Sequence, residues 1–152
     1  MQTKKNIAVM GANGFVGRAV CSAINKTNNF NLIKHCANSS KRYYANTHAQ
    51  QDFIDTVEKM ANICSLSGEK KIILISTISA RIQLDTPYGR HRRTCELMLN
   101  LSKDLIIRLG PMFGEKNPKG ALFDIIKNQS TYVDEQTRYA YVDINYNAQK
   151  IV

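Results

Sequence analysis

Long hydrophobic runs are missing from this chain: no apolar stretch approaches the ~20 residues that a membrane-spanning helix requires. The start, Met1-Gln2-Thr3-Lys4-Lys5, leads directly into a strand-like segment with no signal-peptide pattern. A soluble, cytoplasmic protein is the expectation. Cysteine is sparse and unpaired in sequence: Cys21, Cys36, Cys64 and Cys95 lie far apart, with no C-x-x-C. They sit within apolar patterns, so buried free thiols are expected rather than disulfides or a metal site. His35, His48 and His91 are equally scattered, and no metal centre is expected. Acidic residues are few. Twelve Asp and Glu face twenty-one Lys and Arg, for a net charge of +9, and neither acid occurs between Arg18 and Asp52. Such a field attracts phosphorylated small molecules, nucleic acids or acidic protein surfaces alike, and no nucleic-acid-binding motif accompanies it.

What is present is a hydrophobic content of 43% over 152 residues, enough for one globular domain with a real core. The informative stretch is Ile7-Ala8-Val9-Met10-Gly11-Ala12-Asn13-Gly14-Phe15-Val16-Gly17. An apolar run of strand length meets glycines spaced G-x-x-G-x-x-G, and a helical pattern follows. Gly11 permits a tight turn out of the strand. Gly14 has no side chain to hold a pyrophosphate away from helix-start amides, and Gly17 allows the helix to pack close to the strand. Strand, glycine turn and helix together form the context that dinucleotide binding demands; a plain glycine turn in a β-α unit is the bland alternative.

Along the chain, strands are expected at 6–10, 30–37, 71–76 and 105–109, with a weaker one at 139–143. Helices are expected at 15–26, about 50–66, 87–101 and 122–128, the second from the spacing of Phe53, Ile54, Val57, Met60, Ala61 and Cys64. The run Lys71-Ile72-Ile73-Leu74-Ile75-Ser76 reads as a central parallel strand covered on both faces. The alternation gives an α/β fold: a Rossmann-like three-layer α/β/α arrangement with a truncated, mostly parallel sheet.

A second constellation follows the strand at 71–76. Thr77 stands at its end, and eleven residues after Thr77 comes Tyr88, within Pro87-Tyr88-Gly89-Arg90-His91-Arg92. If Tyr88 opens a helix, Arg92 is one turn along on the same face. A cation there would stabilise a tyrosinate and make Tyr88 a usable general acid/base, while the Thr77 hydroxyl could hold a substrate oxygen. A helix-start aromatic beside a surface arginine is the structural alternative.

Gly11-x-x-Gly14-x-x-Gly17, Ile75-Ser76-Thr77, Thr86-Pro87-Tyr88-Gly89-x-x-Arg92 and Ile107-Arg108-Leu109-Gly110-Pro111-Met112-Phe113-Gly114 occur in this order. With them the chain resembles the extended short-chain dehydrogenase/reductases, the sugar-nucleotide epimerase/dehydratase group. Tyr141-Val142-Asp143 adds a weaker likeness. The resemblance implies an NADP- or NAD-dependent oxidoreductase or epimerase acting on a sugar nucleotide or similar carbonyl or alcohol substrate. It implies Tyr88 as acid/base, Arg92 in the place of the family's lysine and Thr77 as oxygen holder. Cofactor contacts would fall on Gly11, Asn13, Gly14, Phe15, Val16 and Gly17, then on Ala37, Asn38 and Ser39, and on Ser76 and Arg92.

The chain departs from that family in three ways. Arginine keeps the lysine's charge but cannot give up a proton and carries a bulkier fork. Only one strand fits between the first helix and residue 71, where the family has three. His35-Cys36-Ala37-Asn38 looks more like the family's fourth strand than its second, which would leave the adenosine-binding unit missing. As a second strand it would instead bring Ser39, Ser40, Lys41 and Arg42 to a 2′-phosphate, and NADP is the electrostatically easier ligand. Finally, residues 115–152 amount to a remnant of the substrate lobe on a single domain spanning 1–152; a second copy of the chain could supply the lid. A non-catalytic descendant that binds a protein or nucleic acid as a regulator, with or without nucleotide, is therefore the alternative function.

Overall fold

A computed structural model of the protein describes residues 7–24, 42–114, 117, 120–131 and 133–152, and the backbone of 32–35. Strand β1 (Ile7–Met10) leads through the glycine turn to helix α1 (Phe15–Ile24), then strand β2 (Leu32–His35). Helix α2 (Arg42–Thr47) precedes a nearly continuous helical rod: α3 (Ala49–Phe53), a π-helical turn (Ile54–Glu58) and α4 (Lys59–Ser67). Gly68, at φ 54°, ends the rod. Strand β3 (Lys71–Thr77) and the single helical turn α5 (Ser79–Ile82) follow, then α6 (Pro87–Leu97) and strand β4 (Leu105–Leu109). The last elements are β5 (Met112–Phe113), α7 (Ala121–Ile126), β6 (Val142–Asp143) and α8 (Ile144–Ile151).

Strands β1 to β4 form one parallel sheet in sequential order, β1-β2-β3-β4. β3 is central, and its alternation feeds two cores. Ile72 and Leu74 pack with Val57, Met60 and Ile63 of the rod, Cys95 of α6 and Leu99 of the turn after it. Ile73 and Ile75 pack on the other face with Val20 of α1 and with Ala148 and Ile151 of α8. This is the three-layer α/β/α architecture expected from the residue pattern, with every described strand pair parallel.

The sheet order also bears on the identity of the second strand. In a doubly wound dinucleotide-binding sheet the order is 3-2-1-4-5-6, so strand one is flanked on both sides. Here β2 lies between β1 and β3, the place of strand four, and β1 is an edge among the described residues. The strands that would carry an adenosine are absent from that side among the described residues.

Several boundaries differ from the sequence expectations, each for a physical reason. The rod buries Asp52, Thr56, Val57, Met60, Ile63 and Ser67, while Phe53 and Ile54 are about 40% exposed. The π turn adds a residue to one turn and rotates the inward face, so a regular helical count mis-assigns the first two apolar positions. Helix α6 ends at Leu97 rather than 101. The buried Asp104 carboxylate accepts from the amides of Asn100 (3.1 Å) and Ile72 (2.9 Å), fastening a turn there instead. Tyr139–Tyr141 lie outside the last strand, and β6 pairs in parallel with the unexpected β5. Asp143 serves as N-cap of α8, its Oδ1 accepting from Asn145 (2.8 Å) and Tyr146 (3.0 Å) amides. Residues 25, 26, 30, 31, 36 and 37, at the expected ends of α1 and β2, lie outside the described residues.

The approach of α1 to its own turn is as close as backbone allows. A Cβ on Gly17 would lie 2.0 Å from the Gly11 carbonyl oxygen. Gly17→Ala should therefore lower unfolding stability by about 3 kcal/mol, read as the shift in urea midpoint at unchanged m-value.

Candidate functional site

The glycine turn is built as the spacing implied. Gly11 takes φ 79°, the left-handed region that only glycine adopts freely, and its carbonyl accepts from the Gly14 amide at 2.9 Å. Arg18 Nη1 donates to the Asn13 carbonyl at 2.9 Å and braces the turn from the helix side. Asn13 and Gly14 are exposed, Phe15 and Val16 half-buried. No acidic residue stands in the first turn of α1, so its positive end is uncompensated by the helix itself. Gly17 is demanded by packing and Gly11 by its dihedral angle. Gly14 is different: a Cβ there would meet only the Gly11 oxygen, at 3.3 Å. That leaves the outer face of the turn open to an anion.

Tyr88 and Arg92 stand together on α6, but inside the protein. Thr86 caps the helix, accepting from the Gly89 amide at 3.1 Å, with Pro87 at the first position. Asn46 of α2 accepts from the Tyr88 amide at 3.4 Å. A Cβ on Gly89 would lie 1.9 Å from the Gln83 carbonyl oxygen, so α6 is pressed against the end of α5. Tyr88 is 7% exposed. The Arg92 guanidinium lies over its ring, 4.2 Å from the centroid, and Arg42 approaches the ring at 5.8 Å. Arg92 itself is fully buried and grips Asp52 of α3 with both Nη atoms, at 2.5 and 3.1 Å. His91 Nδ1 shares the Asp52 Oδ2 at 2.7 Å, with Phe53 edge-on to its ring. Burial works to raise the Asp52 carboxyl, but the hydrogen bonds from Arg92 and His91 outweigh it and hold the group below its ordinary value.

Ser76 and Thr77 end β3 in different surroundings. The Ser76 hydroxyl donates to buried Glu96 Oε1 at 2.7 Å. The same carboxylate takes Arg108 through Nε (2.8 Å) and Nη2 (2.7 Å) and Arg93 at 3.1 Å. Burial would raise Glu96, and these donors, Arg108 foremost, keep it low. Half-buried Thr77 accepts from the Ser79 amide at 3.3 Å, and the Ser79 hydroxyl accepts from Arg42 at 3.4 Å. A chain of contacts thus links Thr77 through Ser79 and Arg42 to the Tyr88 ring. Cys95, between the two carboxylate centres, has its thiol pushed up to about 12 by burial and is no nucleophile near neutrality. Cys21 and Cys64 are half-buried free thiols; Cys36 lies outside the described residues.

The structure thus gathers Tyr88, Arg92 and Thr77 around α5 and α6, and keeps Gly11 to Gly17 together as a turn. Ser76 belongs to the Glu96 centre. Ala37, Asn38 and Ser39 lie outside the described residues. Asp52, Glu96 and Ser79 are not singled out by the sequence, and Arg42, expected only as a 2′-phosphate contact, stands instead beside the Tyr88 ring and Ser79. The available signal was an acidic residue at a helix's buried spacing, Asp52 eight positions before Met60 and Glu96 eight after Tyr88.

No family model matches the sequence, and no curated protein matches it either. Solved structures do match. UDP-N-acetylglucosamine 4-epimerase from Methanobrevibacter ruminantium, in complex with UDP-N-acetylmuramic acid, superposes with a TM-score of 0.77 at 16% identity, over 96% of this chain and 71% of the other. UDP-glucose 4-epimerase with UDP-glucose from Thermotoga maritima gives 0.72 at 15% identity, over 95% and 71%. The NAD-dependent NDP-hexosamine 5,6-dehydratase TunA gives 0.76 at 14%, over 97% and 71%. The chain has the Rossmann-like fold of these sugar-nucleotide enzymes, as the motif resemblance implied. Among the described residues, no helix is long and apolar enough to cross a membrane.

Against such a cofactor the residues present divide. The exposed Gly14 turn fits a diphosphate. The nicotinamide ribose meets a poorer set: Arg92 is 1% exposed and held by Asp52, and the Ser76 hydroxyl is taken by Glu96.

Removing one member of a buried pair leaves the other charge unpaired, so Asp52→Asn should cost about 3–5 kcal/mol at pH 7. The Asp52 carboxyl titrates lower in the folded chain than its unfolded value of about 3.9. Its contribution is complete above about pH 4 and is lost as pH falls through the folded value. Urea titrations from pH 7 to pH 2 should show the gap between wild type and Asp52→Asn narrowing only below about pH 4.

Proposed function

We propose that this protein binds a diphosphate-containing nucleotide, NADP, NAD or a nucleotide sugar, at the turn from Gly11 to Gly17 and does not use it for hydride transfer. The observation that carries the reading is the placement of Arg92. The cation that would assist a tyrosine acid/base lies over the Tyr88 ring, buried, with its fork spent on Asp52. The edge position of β1 supports the absence of hydride transfer and ranks a nucleotide sugar ahead of NADP or NAD, because a sheet without strands beyond β1 has no floor for an adenosine among the described residues. The chain then acts as a binding protein whose nucleotide-dependent state is read by a macromolecule, and its positive charge suits an acidic surface. The solved neighbours crystallised with UDP-sugars make nucleotide sugars the first ligands to try.

A second reading is favoured by the 4.2 Å between Arg92 and the Tyr88 ring. In it the chain is an NADP- or NAD-dependent epimerase or oxidoreductase, with Tyr88 as acid/base, Thr77 holding the substrate oxygen and Arg92 as electrostatic partner. Residues 115–152 would then be the remnant of a substrate lobe completed by a second copy of the chain.

Thermal unfolding with NADPH, NADH, ADP-ribose and UDP-glucose tests the first reading. A ligand at 100 times its Kd adds about 2.7 kcal/mol, a rise of about 5–11 °C in Tm for a domain of this size. Gly14→Asp, which sets a carboxylate on the turn, should abolish that rise while the unliganded Tm stays close to wild type. Absence of a shift with all four ligands would remove the nucleotide. Turnover that disappears in Tyr88→Phe would replace the first reading with the second.

A further inference from the structure

Between α5, α6 and β4 lies a cavity of about 300 Å³, lined by Ala80, Arg81, Leu84, Arg93 and Arg108. We infer that this cavity is a binding site for a small phosphate monoester, separate from the glycine turn. Its three guanidiniums come from three elements: Arg81 from α5, Arg93 from α6 and Arg108 from β4. Two of them are held in place from behind. The buried Glu96 carboxylate takes Arg108 through Nε and Nη2 and Arg93 through one Nη, and Ser76 completes its shell. That pairing leaves Nη1 of Arg108 and the other Nη of Arg93 outside it. Arg81 is exposed and makes no ion pair among the described residues.

Three guanidiniums against one carboxylate leave a surplus of two positive charges around the cavity. A phosphate monoester carries about −1.5 to −2 at pH 7 and offers three acceptor oxygens, whereas a carboxylate brings one charge and two. Planar arginine forks held by the buried Glu96 carboxylate are preorganised for such an anion, since little side-chain freedom remains to be lost. Ala80 and Leu84 supply an apolar wall for the carbon side of the ester. The volume is at the small end of ligand pockets, roughly 300–1,000 Å³, which excludes a whole dinucleotide.

Calorimetric titration of the full chain with methyl phosphate tests the inference. One site should be seen, weakening as salt is raised. Arg81→Ala should lower its affinity by about tenfold or more, the worth of one charge-assisted hydrogen bond, and Arg93→Gln should act in the same direction. Gly14→Asp should leave the affinity unchanged, which separates this site from the nucleotide reading of the turn. If Arg93→Gln perturbs folding by circular dichroism, Arg81→Ala still decides the matter, because Arg81 stands outside the Glu96 network. No binding by the wild type, equal binding by wild type and Arg81→Ala, or loss confined to Gly14→Asp would each overturn the inference.

Discussion

Helix α6 is held by two buried carboxylates, and the rest of the molecule is arranged around that constraint. Through Arg92 it is tied to Asp52 of α3, and through Glu96 to Arg108 of β4 and Ser76 of β3. Its inward stripe of Tyr88, Gly89, Arg92, Cys95 and Glu96 is thus a helix face carrying opposite charges into the interior. Burying an ion is costly unless its partners are in place. Each charge here therefore requires the neighbouring elements at one distance and one rotation. The Tyr88 ring, under the Arg92 guanidinium, is part of that arrangement.

The glycine turn and the tyrosine helix, joined by a motif resemblance, differ in how freely they could meet a ligand. The turn is at the surface, with no acidic residue in the first turn of its helix and one glycine that packing does not require. The tyrosine helix is sealed by α2, by Arg42 and by the Asp52 pair. An open glycine turn beside a closed tyrosine helix is the asymmetry on which the proposed binding function rests.

Much of the fold was legible in the residues because it rests on local rules. Ile72 to Ile75 had to be a strand covered twice, since four consecutive branched apolar residues leave no face for water. The β1-turn-α1 unit follows from three glycines, and Thr86-Pro87 starts a helix by capping alone. Less legible were α5, β5 with β6, and α8, short elements whose stability comes from neighbours rather than from their own pattern. Gly114 is an example. A Cβ there would strike Ile144 at 2.5 Å, so its glycine is required by a helix thirty residues later.

The chain by itself determined the parallel α/β architecture, the glycine turn and the presence of tyrosine, arginine and threonine near one strand end, because periodicity, capping and dihedral freedom act over a few residues. Only the tertiary structure decided that β2 lies between β1 and β3, that the rod's inward face is rotated by its π turn, and that Arg92 answers to Asp52. Strand order and the pairing of distant charges depend on which surfaces meet across the sheet, and no local spacing encodes a partner forty residues away.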